Sequence, residues 1–161
     1  MRIAGRSIVL AALAAATLGT SARALRAQTL DKKVLSFAAA RKMSAAAQEA
    51  AKARKVDVVI VVVDDGGHII LLERMDGAQV ASVNVGIGKA RTSAIYRRPS
   101  KVFEDQIRNG RVAALALADA TPLQGGVPVL LDGKVIGAIG VSGDSPQIDE
   151  DIAIEGARAF K

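Results

Sequence analysis

Cysteine and tryptophan are absent from this 161-residue chain, and histidine and tyrosine occur once each. Without cysteine there is no disulfide, no thiolate chemistry, no cysteine-ligated zinc and no cysteine-held iron–sulfur cluster. A single histidine excludes a multi-histidine metal site within one chain. Three phenylalanines and one tyrosine leave little to stack on nucleic-acid bases. The chain also lacks a Gly-x-x-x-x-Gly-Lys-Ser/Thr phosphate loop and a Rossmann glycine fingerprint. Nothing marks a nucleophile elbow, so no Ser/His/Asp triad is readable, and the catalytic residues, if any, stay unknown.

What is present begins with a leader. Arg2 and Arg6 form a short positive segment, and Ile8 to Leu18 is an uncharged, largely apolar run. That run is shorter than the roughly 20 residues needed to cross a bilayer. Ala22-Arg23-Ala24 fits a small-x-small cleavage rule, with Ala27 as a second option. The reading is a secretory signal peptide over residues 1–27 and a single domain over 28–161, placed in the periplasm or secreted by a bacterium. No transmembrane segment remains after cleavage. The leader accounts for much of the chain's net charge of +6. Removing its four arginines leaves 18 basic against 16 acidic residues. A surface so nearly balanced does not suggest a nucleic-acid partner.

Leu30 to Lys55 is Ala-rich, free of Gly and Pro, and predicts a long helix with Asp31 at its positive end. The β-branched run Val56 to Val63 predicts a buried strand. Asp64-Asp65-Gly66-Gly67 is turn chemistry, and His68 to Glu73 returns as the second strand of a hairpin. Gln79 to Tyr96 reads as helical, with Gly86 and Gly88 explained by close approach to another backbone. Ser100 to Asn109 is a further helix. Val112 to Ala118 is ambiguous between a strand and a helical turn. Leu123 to Leu131 and Lys134 to Val141 form a second hairpin about Asp132-Gly133, with Pro128 at a sheet edge. Gln147 to Phe160 closes the chain as a helix. The fold class is α/β of the α+β type: a central antiparallel sheet of about five strands flanked by helices.

Several ordered motifs resemble one family. They are Val63 to His68, Arg74 to Ala78, Lys89 to Ala94, Leu123 to Pro128, Gly137 to Gly143, and Asp149-Glu150-Asp151. Together they are similar to GlcG/HbpS proteins, also known as the PduO C-terminal domain family. The resemblance implies a profilin-like sheet, assembly into homo-oligomers, haem binding in some members, and for secreted members a link to haem or iron handling and sensing. A membrane sensor protein is then a possible partner.

Candidate ligand-binding residues follow, each with a plainer alternative. His68 is the sole strong neutral ligand for haem iron, or an exposed residue at a strand start. Tyr96, Met43, Met75 and Thr92 are fallback iron ligands. Arg74 and Asp76 either hold a propionate or small acid, or pair internally to fix a loop. Lys89 and Thr92 share a helix face and either line an anion pocket or meet solvent, while Arg91 points elsewhere. Gly125 and Gly126, with Gly137 and Gly140, let a ligand or a helix approach the sheet, or simply form bulges. The acidic start at Asp149 to Asp151 is explained by the helix dipole, or by a catalytic acid or a metal-ion role. The three functional expectations are a haem- or tetrapyrrole-binding protein, an accessory protein or enzyme acting on a small organic acid, and a structural oligomer that contacts a membrane-bound sensor.

Overall fold

Why each segment adopts its structure follows from caps, turns and burial. The computed structural model describes residues 30–160, so the leader reading lies outside the described residues. Helix α1 spans Phe37–Ala53, strand β1 Val59–Asp64 and strand β2 Ile69–Arg74. Helix α2 covers Ser82–Ile95 and α3 Lys101–Arg108, followed by a 3-10 helix at Val112–Ala116. Strands β3, Gly126–Leu131, and β4, Lys134–Ser142, precede helix α4, Pro146–Arg158.

The sheet has four strands among the described residues, in the order β2-β1-β4-β3, and every neighbouring pair is antiparallel. The ambiguous Val112–Ala116 is the 3-10 helix and adds no strand to the expected set. Helix α1 also starts later than its Ala-rich composition suggests. The Ser36 side chain accepts a hydrogen bond from the Ala39 backbone N–H at 3.2 Å and fixes the start at Phe37, leaving Asp31 outside the helix.

Strand β1 is central, and Val59 to Val63 are fully buried. Its alternating side chains feed two cores. Ile60 and Val62 pack with α1 and α4 through Met43, Ala47, Ile152 and Ala153. Val59, Val61 and Val63 pack on the opposite face against α2 through Ala90 and Ala94. A strand covered on both faces is a continuous apolar run, which is how β1 reads in the sequence.

Strand β3 lies at the sheet edge, where Pro128 removes no ladder bond that a central strand would need. Asp132 and Gly133 both have positive φ, 50° and 73°, as a two-residue hairpin turn requires. Glycines in α2 and β4 let helix and sheet meet closely. A Cβ on Gly140 would stand 2.5 Å from the Gly86 carbonyl oxygen and 2.6 Å from the Ala90 nitrogen.

Candidate functional site: a polar cleft at one end of the sheet

Antiparallel pairing sets two distinct ends on the sheet. Val59 pairs with both Ser142 and Arg74, so the start of β1, the end of β2 and the end of β4 lie together. Both hairpin turns, Asp64 to His68 and Asp132-Gly133, lie at the other end. Five residue steps along β1 separate the two ends by on the order of 16 Å.

The first end holds a cleft of about 230 Å³ between α2, the end of β4 and the start of α4. Ser82, Val85 and Lys89 line it from α2, spaced three and four residues apart on one helix face. Ser142, Gly143 and Asp144 contribute from β4 and the loop after it, and Gln124 from the loop before β3.

The floor of this cleft is an ion pair. The Lys89 ammonium donates to Asp149 Oδ2 at 2.7 Å and to the Val141 carbonyl at 3.0 Å. Both side chains are almost wholly buried, 4% and 3% exposed. Asp149 Oδ1 accepts from the Asp144 backbone N–H at 3.0 Å. Burial pushes the Asp149 carboxyl above its ordinary value, while the adjoining Lys89 pulls it down.

The paired glycines make room for this arrangement. Gly125 has φ +124°, and a Cβ there would stand 2.8 Å from the Val141 oxygen and 2.9 Å from Lys89 Nζ. A Cβ on Gly126 would meet the Lys89 carbonyl oxygen at 2.2 Å. Their role is therefore steric, as one of the sequence alternatives holds.

Around this floor lies a set of polar contacts. Gln124 Nε2 donates to Glu150 at 2.5 Å and to Gln147 at 3.1 Å, and its backbone N–H donates to Glu104 at 2.6 Å. The acidic start of α4 thus divides. Asp149 meets Lys89, Glu150 meets Gln124, and Asp151 accepts from Gln147 at 2.9 Å. The helix dipole alone does not account for these residues, because two of the three are buried against specific donors.

The remaining sequence candidates lie elsewhere. Thr92 is fully buried, donates to the Gly88 carbonyl at 2.7 Å and accepts from the Thr121 N–H at 2.7 Å. It shares a helix with Lys89 but does not line the cleft, so the expected Lys89–Thr92 pocket is not formed. Arg74 and Asp76 are exposed, line no cleft and form no ion pair with each other. Met43 is a core residue, and Met75 packs against that core. The Tyr96 hydroxyl donates to the Ala118 carbonyl at 2.7 Å, and its ring packs edge-on to Phe103. These side chains are committed to packing rather than open to iron.

His68 is exposed at the turn end. Its backbone N–H donates to Asp64 Oδ1 at 2.9 Å, and its ring has no hydrogen-bond partner among the described residues. Next to it, Gly67 packs on α2: a Cβ there would meet Arg91 Cγ at 2.8 Å and Ile95 Cγ2 at 3.2 Å. Arg91 Nε reaches the Gly67 carbonyl at 3.4 Å, so Arg91 faces this end while Lys89 faces the cleft. Among the described residues no group of three or more His, Asp and Glu is placed to hold a metal ion. Nor is any helix among them long and apolar enough to cross a membrane.

Ser82, Ser142 and Gln124 are cleft residues that the candidate reading of the sequence did not single out. The spacing of Ser82, Val85 and Lys89 on one helix face was the available signal. Ser142 and Gln124 fall inside the two C-terminal motifs.

The architecture and cleft define a small α/β domain: an antiparallel sheet between helices, with a buried Lys–Asp pair under a polar opening. The chain belongs to the HbpS-like family, described as haem degrading protein HbpS-like, whose model matches residues 35–158. The Escherichia coli K12 protein GlcG is 44% identical over 75 residues, covering 47% of this chain. That match spans 56% of GlcG, a little over half its length. The crystal structure of Klebsiella pneumoniae protein ORFY superimposes with a TM-score of 0.77 at 31% identity, covering 82% of this chain and 94% of that one. The crystal structure of a PduOC:heme complex gives a TM-score of 0.72 at 28% identity, covering 79% of this chain and 95% of that one.

Proposed function

We propose that this chain is an exported haem- or tetrapyrrole-binding protein of the HbpS type, acting in the periplasm or outside the cell in haem or iron handling or sensing. The observation that carries the reading is His68. The sole imidazole of the chain is exposed at a hairpin turn, its ring free of hydrogen bonds among the described residues. The related fold of PduOC as a heme complex supports it.

The residues at the turn end suit haem in kind. An imidazole ligates iron, Arg91 suits a propionate, and Ile69 and Ile95 offer apolar contact. Haem held there supplies a redox-active iron, and the chain's own part is to ligate, neutralise and shield it. The cleft does not suit haem. It contains no imidazole to ligate iron.

Association between copies fits a second surface feature. An apolar groove of about 240 Å³ runs beside the edge strand β3, lined by Val127, Pro128, Leu130, Ile154 and Phe160. A homo-oligomer would cover it and the free edge of β3.

The second reading is an accessory protein or enzyme acting on a small organic acid. Lys89 in the cleft favours it, and the carboxylates around Lys89 oppose it.

The test is a haemin titration of the purified protein beside His68→Ala, followed by absorbance. The expected result is a saturable Soret shift at about one haem per chain, lost in the variant. A shift that survives in the variant removes His68 as the ligand. Absence of a saturable shift in the folded protein contradicts haem binding.

A further inference from the structure

We propose that the Lys89–Asp149 cleft binds a small neutral polyhydroxylated compound, at a site separate from the haem surface. Three observations carry this.

The first is a pair of serine hydroxyls that open into the cleft. Ser82 and Ser142 are only 5% and 6% exposed, and both line the cleft. Neither hydroxyl makes a hydrogen bond among the described residues, and no side-chain oxygen or nitrogen among them is both sealed from solvent and unpartnered, so both hydroxyls open into the cleft. A hydroxyl at such an opening is matched by water, which a ligand group that reproduces its hydrogen bonds can replace. Two of them facing one opening ask for a ligand that both donates and accepts.

The second is the ammonium of Lys89. It has three N–H donors, and two are used, on Asp149 and Val141. The third is available to an acceptor in the cleft. Gln79 adds an exposed amide at the rim.

The third is charge. Lys89 is the only cation lining the cleft, and it faces two carboxylates there, Asp149 and Asp144. Glu150 lies just behind, bonded to Gln124. An incoming carboxylate would compete with Asp149 for Lys89 and face Asp144 as a like charge. A neutral hydroxylated molecule takes the same donors and acceptors without that repulsion. The size is also specific: 230 Å³ is the liquid volume of about eight waters. That suits a three- or four-carbon compound.

Erythritol and its acid counterpart erythronate separate the two chemistries, because they share a four-carbon hydroxylated chain. Ligand-observed NMR titrations of each would be run on the full protein, on Ser82→Ala and on Ser142→Ala. Both substitutions remove only an oxygen, and a protein spectrum of each variant checks that the fold is kept. The expected result is saturable erythritol binding, weakened about fivefold in each variant, with erythronate binding at least about tenfold more weakly. Erythronate binding as tightly as erythritol would overturn the proposal in favour of an acid site. Erythritol binding unchanged in both variants, or no saturable binding to the wild type, would overturn it as well, leaving the hydroxyls to water. None of these outcomes depends on haem.

Discussion

The two ends of the sheet differ in how their chemistry is held. At the turn end, His68 stands exposed on a hairpin whose geometry is set by local bonds to Asp64. At the cleft end, Lys89 and Asp149 meet from helices 60 residues apart in sequence and are buried almost completely. One end offers a reactive group at little structural cost. The other builds its polar groups into the core, so its ligand chemistry and its stability are the same contacts. Helix α2 joins them, with Ser82 and Lys89 facing the cleft and Arg91 and Ile95 against the Gly67 turn.

This contrast is broken most severely at Lys89. Lys89→Ala leaves the Asp149 carboxylate buried without its counter-ion and is expected to destabilise the fold by about 3–5 kcal/mol. The double substitution Lys89→Met with Asp149→Leu removes both charges and is expected to recover most of that loss. Urea unfolding of the three proteins checks it. A double variant as unstable as Lys89→Ala would show that the pair is not the source.

Glycine substitutions sharpen the difference between the ends at a smaller scale. Gly126→Ala drives a methyl into the Lys89 carbonyl oxygen at 2.2 Å and is expected to cost at least about 3 kcal/mol. Gly133→Ala, in the β3–β4 turn, meets nothing within 4 Å and bears only its positive φ of 73°, a cost of about 1 kcal/mol. Thermal unfolding ranks the two, and equal losses would mean that the cleft end is no tighter than the turn.

The smallest effect is on pH dependence. Asp149 holds its proton to higher pH when folded than when unfolded, mainly because it is buried. The folded state therefore binds more protons at this group, and its stabilising contribution falls as pH rises from the ordinary carboxylate range through the raised value. The melting-temperature advantage of wild type over Asp149→Asn is expected to narrow as pH rises above the ordinary carboxylate range. A gap that widens over this range would contradict the direction of the shift.

Much of the fold was legible because its signals are local. The apolar run of β1, the Asp132-Gly133 turn and the edge position of Pro128 each follow from neighbouring residues. The glycines at 125 and 126 announced a close approach without saying what approached. Local signals also misled where composition was uniform: the Ala-rich stretch set the helix start too early, at Leu30, and the Ser36 side chain fixes it at Phe37. Val112–Ala116 is apolar and short, a pattern that fits a strand or a turn equally well. The Lys89–Asp149 pair was not legible as a pair, since nothing near either residue names the other. The two cleft serines were equally hidden, because a hydroxyl is ordinary in sequence and notable only where it faces an opening.

The central claim is that haem and the small-molecule cleft occupy opposite ends of the sheet. A ¹H–¹⁵N spectrum of the protein titrated with zinc protoporphyrin, a diamagnetic stand-in for haem, tests it directly. The account predicts shifts confined to Gly66–Ile69 and Arg91–Ile95, with Ser82, Ser142 and Gly143 unmoved. Shifts centred on Ser82, Ser142 and Gly143 would contradict it and place the tetrapyrrole at the cleft.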